Sequence, residues 1–303
     1  MIAFSTIDAP ACALGEGPVW SDRDKALYWV DVVGKKILRF RPSSGTVDVR
    51  EIPFAPSAIV PRQGTGLLLV TKKGLALLDD FTSPLVSIPV PQIDFTREVF
   101  NDATCDQLGR LWIGTRDINA REAKGRLYRI DADFSVTSHV DGLVISNGIA
   151  FSPDSRTMYH VDSRPGRIDA YDYDLERGAI SNRRTFLEYS DPTRKGHPDG
   201  CTVDADGGLW VAEVEGSRLA RYTPDRRLDR EIPLPVSKPT SVMFGGAGLR
   251  TLFATSMQFG LSEEQLAAQP LAGRVFALEA GVTGLPEPLF SGRSPHLRDS
   301  EER

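Results

Sequence analysis

The sequence predicts an all-β protein, a six-bladed β-propeller of four-stranded antiparallel blades, with residues 1–303 forming one domain closed by strands from both termini. Three observations lead there. A pattern of polar residue, apolar strand, tight turn and aromatic-rich strand recurs six times. The copies begin at residues 16, 57, 101, 147, 199 and 240, and a period of about 40–50 residues is that of a four-stranded blade. Long amphipathic helical patterns are almost absent.

The first copy runs EGPVWSDRDKALYWVD from Glu16, and a second, SAIVPRQGTGLLLVT, starts at Ser57. The next two are NDATCDQLGRLWIGT from Asn101 and NGIAFSPDSRTMYHVD from Asn147. The last two are DGCTVDADGGLWVAE from Asp199 and TSVMFGGAGLRTLFAT from Thr240. Gly-Arg, Asp-Gly-Gly and Pro-Asp between the apolar runs are residues that tight hairpins need. A third strand follows each copy: KKILRFRP, GLALLDD, GRLYRID, RIDAYDYD, SRLARYTP and GRVFALEA. Four copies continue into a fourth: VDVREIPF, VTSHV, RRTFLEY and LDREIPL. A strand within Ile2–Ile7 is expected to join the last blade. The one helical signal is SEEQLAAQ, Ser262–Gln269.

Composition narrows the function. A net charge of −5 gives no basic face for nucleic acid, and no apolar run approaches the ~18 residues of a membrane helix. Cys12, Cys105 and Cys201 are odd in number and lack CxxC spacing, which suits buried thiols in a reducing compartment. The first residues show neither a basic nor an apolar leader segment. The expectation is a cytoplasmic protein, a monomer or weak dimer, with a small-molecule partner and neither nucleic acid nor membrane.

The first strand of a propeller blade lines the central channel, so the repeat gathers Glu16, Ser57, Asn101, Asn147, Asp199 and Thr240 at its mouth. All six side chains carry oxygen. Polar residues also cap turns, but a turn would accept glycine or apolar residues as readily at several of the six. Two carboxylates held together repel unless a positive charge lies between them. Oxygen-only ligation suits Ca²⁺, Mg²⁺ or Mn²⁺, and carboxylates also accept Zn²⁺ or Fe²⁺. One divalent cation is therefore expected. His197 lies two residues before Asp199 and could reach the mouth; His160 falls inside a strand and reads as structural.

Several stretches resemble the regucalcin/gluconolactonase (senescence-marker-protein) family of six-bladed propellers. They are LGEGPVW at 14–20, FND at 100–102, GRLWIGT at 109–115, ISNGIAFSPD at 145–154, PDGCTVDADGGLWVA at 198–212 and KPTSVMFGG at 238–246. The resemblance implies Glu16, Asn147 and Asp199 as metal ligands, with Asn101 beside the metal contacting substrate and Asp102 following it. Vertebrate relatives carry an arginine before FND that binds substrate hydroxyls. Here that position is Val99, and KGHPDG around His197 also departs from the family. Val99 and His197 thus mark a rim on which substrate preference should differ.

The activity implied is metal-dependent opening of a sugar lactone to the aldonic acid, with the cation as Lewis acid and Asp199 as general base. Two alternatives stand beside it. One is a phosphotriesterase-like hydrolase using the same ion and base. The other is a non-catalytic calcium-binding regulator.

Overall fold

The computed structural model describes residues 4–292 apart from 192 and 194. It consists almost wholly of antiparallel strands in six sheets of four, arranged as a six-bladed β-propeller. Blade one comprises Gly15–Ser21, Ala26–Asp31, Lys36–Arg41 and Thr46–Glu51. Blade two has Pro56–Pro61, Leu67–Thr71, Gly74–Leu78 and Val86–Ile88. Blade three has Glu98–Cys105, Leu111–Asp117, Gly125–Ile130 and Val136–Leu143, and blade four Ser146–Phe151, Thr157–Asp162, Arg167–Asp174 and Ala179–Glu188. Blade five contains His197–Val203, Leu209–Val214, Arg218–Tyr222 and Leu228–Pro233. Pro239–Gly245, Thr251–Ser256 and Phe276–Glu279 make the sixth, and Phe4–Thr6 pairs antiparallel with Phe276–Leu278 as its outer strand. The innermost strands touch in ring order, and the first meets the sixth. Of the N-terminal strand expected within Ile2–Ile7, Ile2 and Ala3 lie outside the described residues.

Alternation decides which strands the sequence reveals. Middle strands are buried on both faces, as in Ala26–Asp31 and Leu67–Thr71, and read as continuous apolar runs. Outer strands are mostly exposed, and the three-residue Val86–Ile88 escaped the repeat pattern altogether. The core lies between blades, with Trp29, Trp112 and Trp210 fully buried. The helix forms at Glu263–Ala268, where Ser262 and Gln265 cap each other's backbone, a reciprocal box that satisfies otherwise orphaned N–H groups.

Blades three and five carry a second polar device. In DQLGRLW, buried Asp106 accepts bonds from Leu108 N, Arg110 N and the Trp112 indole. In DADGGLW, Asp204 does the same with Asp206 N, Gly208 N and Trp210 Nε1, and also receives Arg221 at 2.7 Å. Each aspartate closes the hairpin between first and second strands and satisfies the indole N–H where water cannot. All three cysteines are buried and unpaired, and burial raises each thiol, Cys12 to about 12.

Beyond Glu279 the chain laces across the face where those hairpins turn. Gly284 N donates to Leu249 O, Ala205 N to Thr283 O, Phe290 N to Pro61 O and Ser291 N to Gly109 O. Leu285–Pro288 thereby line a narrow void of about 80 Å³ in the channel. This void narrows the channel at this end, and a wider cavity opens at the other, where the inner strands begin.

Candidate functional site

At the open end lies a cavity of about 420 Å³, bordered by Glu16, Ser57, Asn101, Asp102, Asn147 and Asp199. Five of the six repeat positions meet there. The sixth, Thr240, does not: it is fully buried, donates from Oγ1 to Gly15 O at 2.5 Å and sits 2.9 Å from Thr255 Oγ1. A small β-branched hydroxyl there locks blade six to blade one instead of facing the opening.

What aims these side chains is a register shift in every inner strand. The ladder to the second strand breaks between Glu16 and Val19, Phe100 and Ala103, Ser146 and Ile149, and Pro198 and Cys201. Blades two and six break alike, between Pro56 and Ala58 and between Pro239 and Ser241. A bulge frees a residue from the alternation and turns its side chain, and Ser57, Asn101, Asp102, Asn147 and Asp199 are freed in this way at the mouth, whereas Glu16 still pairs with Val30 at the edge of its break and the freed Thr240 turns inward. Glycine follows Glu16, Asn147 and Asp199. A Cβ on Gly148 would stand 2.7 Å from Asp199 O and 2.8 Å from Cys201 N, so only glycine lets the strands bearing Asn147 and Asp199 approach this closely.

Hydrogen bonds then fix the amides. Asn101 Nδ2 donates to Ser146 O at 3.0 Å and to Asn147 Oδ1 at 2.7 Å. Asn147 Nδ2 donates to Ser163 Oγ at 2.8 Å, which in turn donates to Pro198 O at 2.6 Å. Asn147 Oδ1 is thereby oriented with one lone pair unspent. Asn101 has committed its donor to holding Asn147, leaving its carbonyl oxygen for any other contact.

The carboxylates are crowded. Asp199 is 7% exposed and its Oδ1 has no hydrogen-bond partner. Burial and the nearby Asp102 push its carboxyl well above the usual range. Glu16 is raised likewise by burial, Asp199 and Asp102, and burial lifts Asp102 to about 6. An orphaned buried oxygen among three mutually repelling acids is costly unless a cation joins them. Two carboxylates and a carboxamide are hard oxygen donors, so the residues fit a divalent cation. Among the described residues no group of three His, Cys, Asp or Glu side chains could hold an ion; the carboxamide of Asn147 is what completes this set.

Two expected rim residues stand elsewhere. Val99 is buried, pairs with Arg116 across the ladder, and does not line the cavity. His197 is half-buried opposite Val214 at the start of blade five, also off the lining, and burial lowers its pKa. His160 is fully buried, its Nε2 2.6 Å from Ser146 Oγ, and burial lowers it to about 3.

Sequence reasoning missed Lys72, Arg116, Ile118, Met257 and Phe259, all of which border the cavity. Their signal was available one register step away. Pro56 faces Thr71 and Phe100 faces Thr115, so Lys72, just past its second strand, and Arg116, near the end of its own, occupy equivalent positions in adjacent blades. Burial, then Arg116, lowers Lys72 to about 8, while Glu16 opposes that shift; burial also lowers Arg116.

Comparison with known proteins agrees with this picture. Residues 14–258 match the SMP-30/gluconolactonase/LRE-like region. The chain belongs to that family. A 6-deoxy-6-sulfogluconolactonase of Pseudomonas putida is 36% identical, covering 92% of this chain and 95% of the relative. Regucalcin of Gallus gallus is 35% identical over the same shares. Among solved structures, a calcium-binding protein, regucalcin, from Agrobacterium tumefaciens superposes with a TM-score of 0.90 at 28% identity, covering 95% of this chain and 97% of that one. The family resemblance and the gluconolactonase-like enzyme class read from the sequence are borne out by this kinship. No helix among the described residues is long and apolar enough to cross a membrane.

Proposed function

We propose that the protein hydrolyses a sugar lactone in the cavity at the open end of the channel, using one divalent cation held by Glu16, Asn147 and Asp199. The observation that supports this most is the buried, unpartnered Oδ1 of Asp199 beside Glu16 and an oriented Asn147 oxygen. When bound, the cation supplies Lewis-acid polarisation of an ester carbonyl.

The chain's own residues account for the rest. Asp199 takes the proton of the attacking water as the new C–O bond forms at the acyl carbon. The ring ester C–O bond then breaks, and the same proton passes to the departing alkoxide, leaving an aldonic acid with one hydroxyl regained. Asn101 and Ser163 hold Asn147 in place, so the oxygen cluster needs no rearrangement before reaction. Leu285–Pro288 narrow the channel beneath the site, and the apolar rim of Leu14, Val32, Met257 and Phe259 can exclude water around a bound ring.

The test is a hydrolysis screen of aldonolactones with chelator-stripped protein reloaded with Ca²⁺, Mg²⁺, Mn²⁺, Zn²⁺ or Fe²⁺, with a phosphotriester run in parallel. Cation-restored lactone turnover is expected. Turnover of the phosphotriester alone, or of nothing under any cation, would overturn the proposal.

A further inference from the structure

Lys72 and Arg116 border the same cavity as the carboxylates yet are not among the proposed cation ligands. Among the described residues neither side chain makes a salt bridge. Arg116 Nη1 donates to the backbone oxygens of Asp117 and Ile118 at 2.9 and 3.0 Å, which leaves the rest of the guanidinium fork open. The two stand at equivalent positions of blades two and three, near enough for each other's charge to be felt. Two half-buried like charges side by side cost free energy in the empty protein.

The proposed cation ligands and the two basic residues come from different blades, although blade three also carries Asp102 and Lys72 lies near enough to Glu16 for their charges to be felt. Glu16, Asn147 and Asp199 come from blades one, four and five, whereas the cations occupy the intervening arc of blades two and three. The equivalent positions just past the second strands of blades one and six are Val32 and Met257, so among the residues lining the cavity positive charge is confined to that arc. With a divalent ion seated, Glu16, Asp102 and Asp199 face a larger total of positive charge, and the missing negative charge is left for a ligand to bring.

We infer that Lys72 and Arg116 form an anion subsite, and that the substrate is a sugar lactone bearing a carboxylate, sulfonate or phosphate at the end remote from its lactone carbonyl. The carbonyl lies toward blades one, four and five, and the anion toward blades two and three. The guanidinium fork matches two oxygens of such a group, and the ammonium adds a point charge. This substrate class rests on the lactonase reading above, whereas the charge of the arc does not.

The test compares kcat/KM for D-glucono-1,5-lactone with that for lactones carrying a C6 carboxylate, sulfonate or phosphate. It uses cation-loaded parent protein, Lys72→Met and the charge-preserving Arg116→Lys. The parent should favour at least one anionic lactone by about 10-fold or more, chiefly through KM. Lys72→Met should lower kcat/KM for that lactone by about 10–100-fold, the usual range for a hydrogen bond to a charged group, and change the neutral lactone less than about threefold. Arg116→Lys should keep most of the preference. Calorimetry supplies a second reading, because glucarate should bind the parent more tightly than gluconate and lose that advantage in Lys72→Met. A glucarate advantage without any lactone turnover would sustain the subsite while removing the hydrolytic reading. Lactone turnover without preference for any anionic form, and without a glucarate advantage, would remove the subsite and leave that reading standing. Equal losses on neutral and anionic lactones in Lys72→Met would also overturn it, since they would mark a structural lysine.

Discussion

One substitution should move stability and function in opposite directions. Asp199→Asn preserves shape and the Asn147 contact but removes a negative charge from a site where Oδ1 finds no donor. In chelator-treated protein that charge is a liability. Leaving a buried polar group unsatisfied costs about 1–3 kcal/mol, more when it is charged. Relieving it should raise Tm by about 2–6 °C for a domain of this size. The pH dependence follows from linkage. The folded carboxyl titrates above its unfolded value, so the folded state holds the proton more strongly, and stability falls as pH rises from the ordinary carboxylate range through the raised folded pKa. The advantage of the variant should therefore be larger at pH 8 than at pH 5. Saturating divalent cation reverses the order, because the ion stabilises the parent through a carboxylate that the variant lacks. Loss of the base should also lower kcat by roughly 10²–10⁴. Differential scanning calorimetry at both pH values, with chelator and with cation, reads all four cells. A Tm difference that is identical at pH 5 and pH 8, or a kcat within about threefold of the parent, would refute the reasoning; an aspartate that merely capped a turn would behave that way, since asparagine caps equally well.

Glu16→Gln should weaken divalent-cation affinity by about 10-fold or more by removing one ligand charge, and calorimetry showing parental affinity would exclude Glu16 as a ligand. Asp204→Ala removes one of the two carboxylates paired with Arg221, leaving Asp229, and strips the partner from the buried Trp210 indole, so it should cost about 1–3 kcal/mol in urea unfolding while leaving kcat per folded molecule unchanged.

How much of this could be read in the sequence depends on which physical feature carried the information. The inner and middle strands were legible because burial on both faces demands unbroken apolar runs, such as ALYWV at 26–30. Glu16, Asn101, Asn147 and Asp199 were legible because one fold repeats six times, and equivalence in the repeat is equivalence in space. The same logic misplaced Thr240, whose hydroxyl had a nearer use in bonding Gly15 O. It overlooked Val86–Ile88, whose three residues are too few to show a period although Ile88 is buried.

Val99 and Arg116 show where linear reading fails most informatively. Reading along the chain, Val99 occupies the place of a substrate-binding cation and suggests a rim that is apolar on that side. Across the ladder, however, Val99 faces Arg116, and it is Arg116 that borders the cavity while Val99 is buried. Residues seventeen apart in sequence are neighbours in the sheet, so positive charge remains on blade three although it has left the inner strand. Nothing in the order of residues distinguishes an arginine that ends a strand in solvent from one that ends it over a cavity. The bulge at Asn101–Asp102 makes that difference, because it breaks the pairing just inside the Phe100–Thr115 pair and aims the inner strand's polar residues at the mouth beside Arg116.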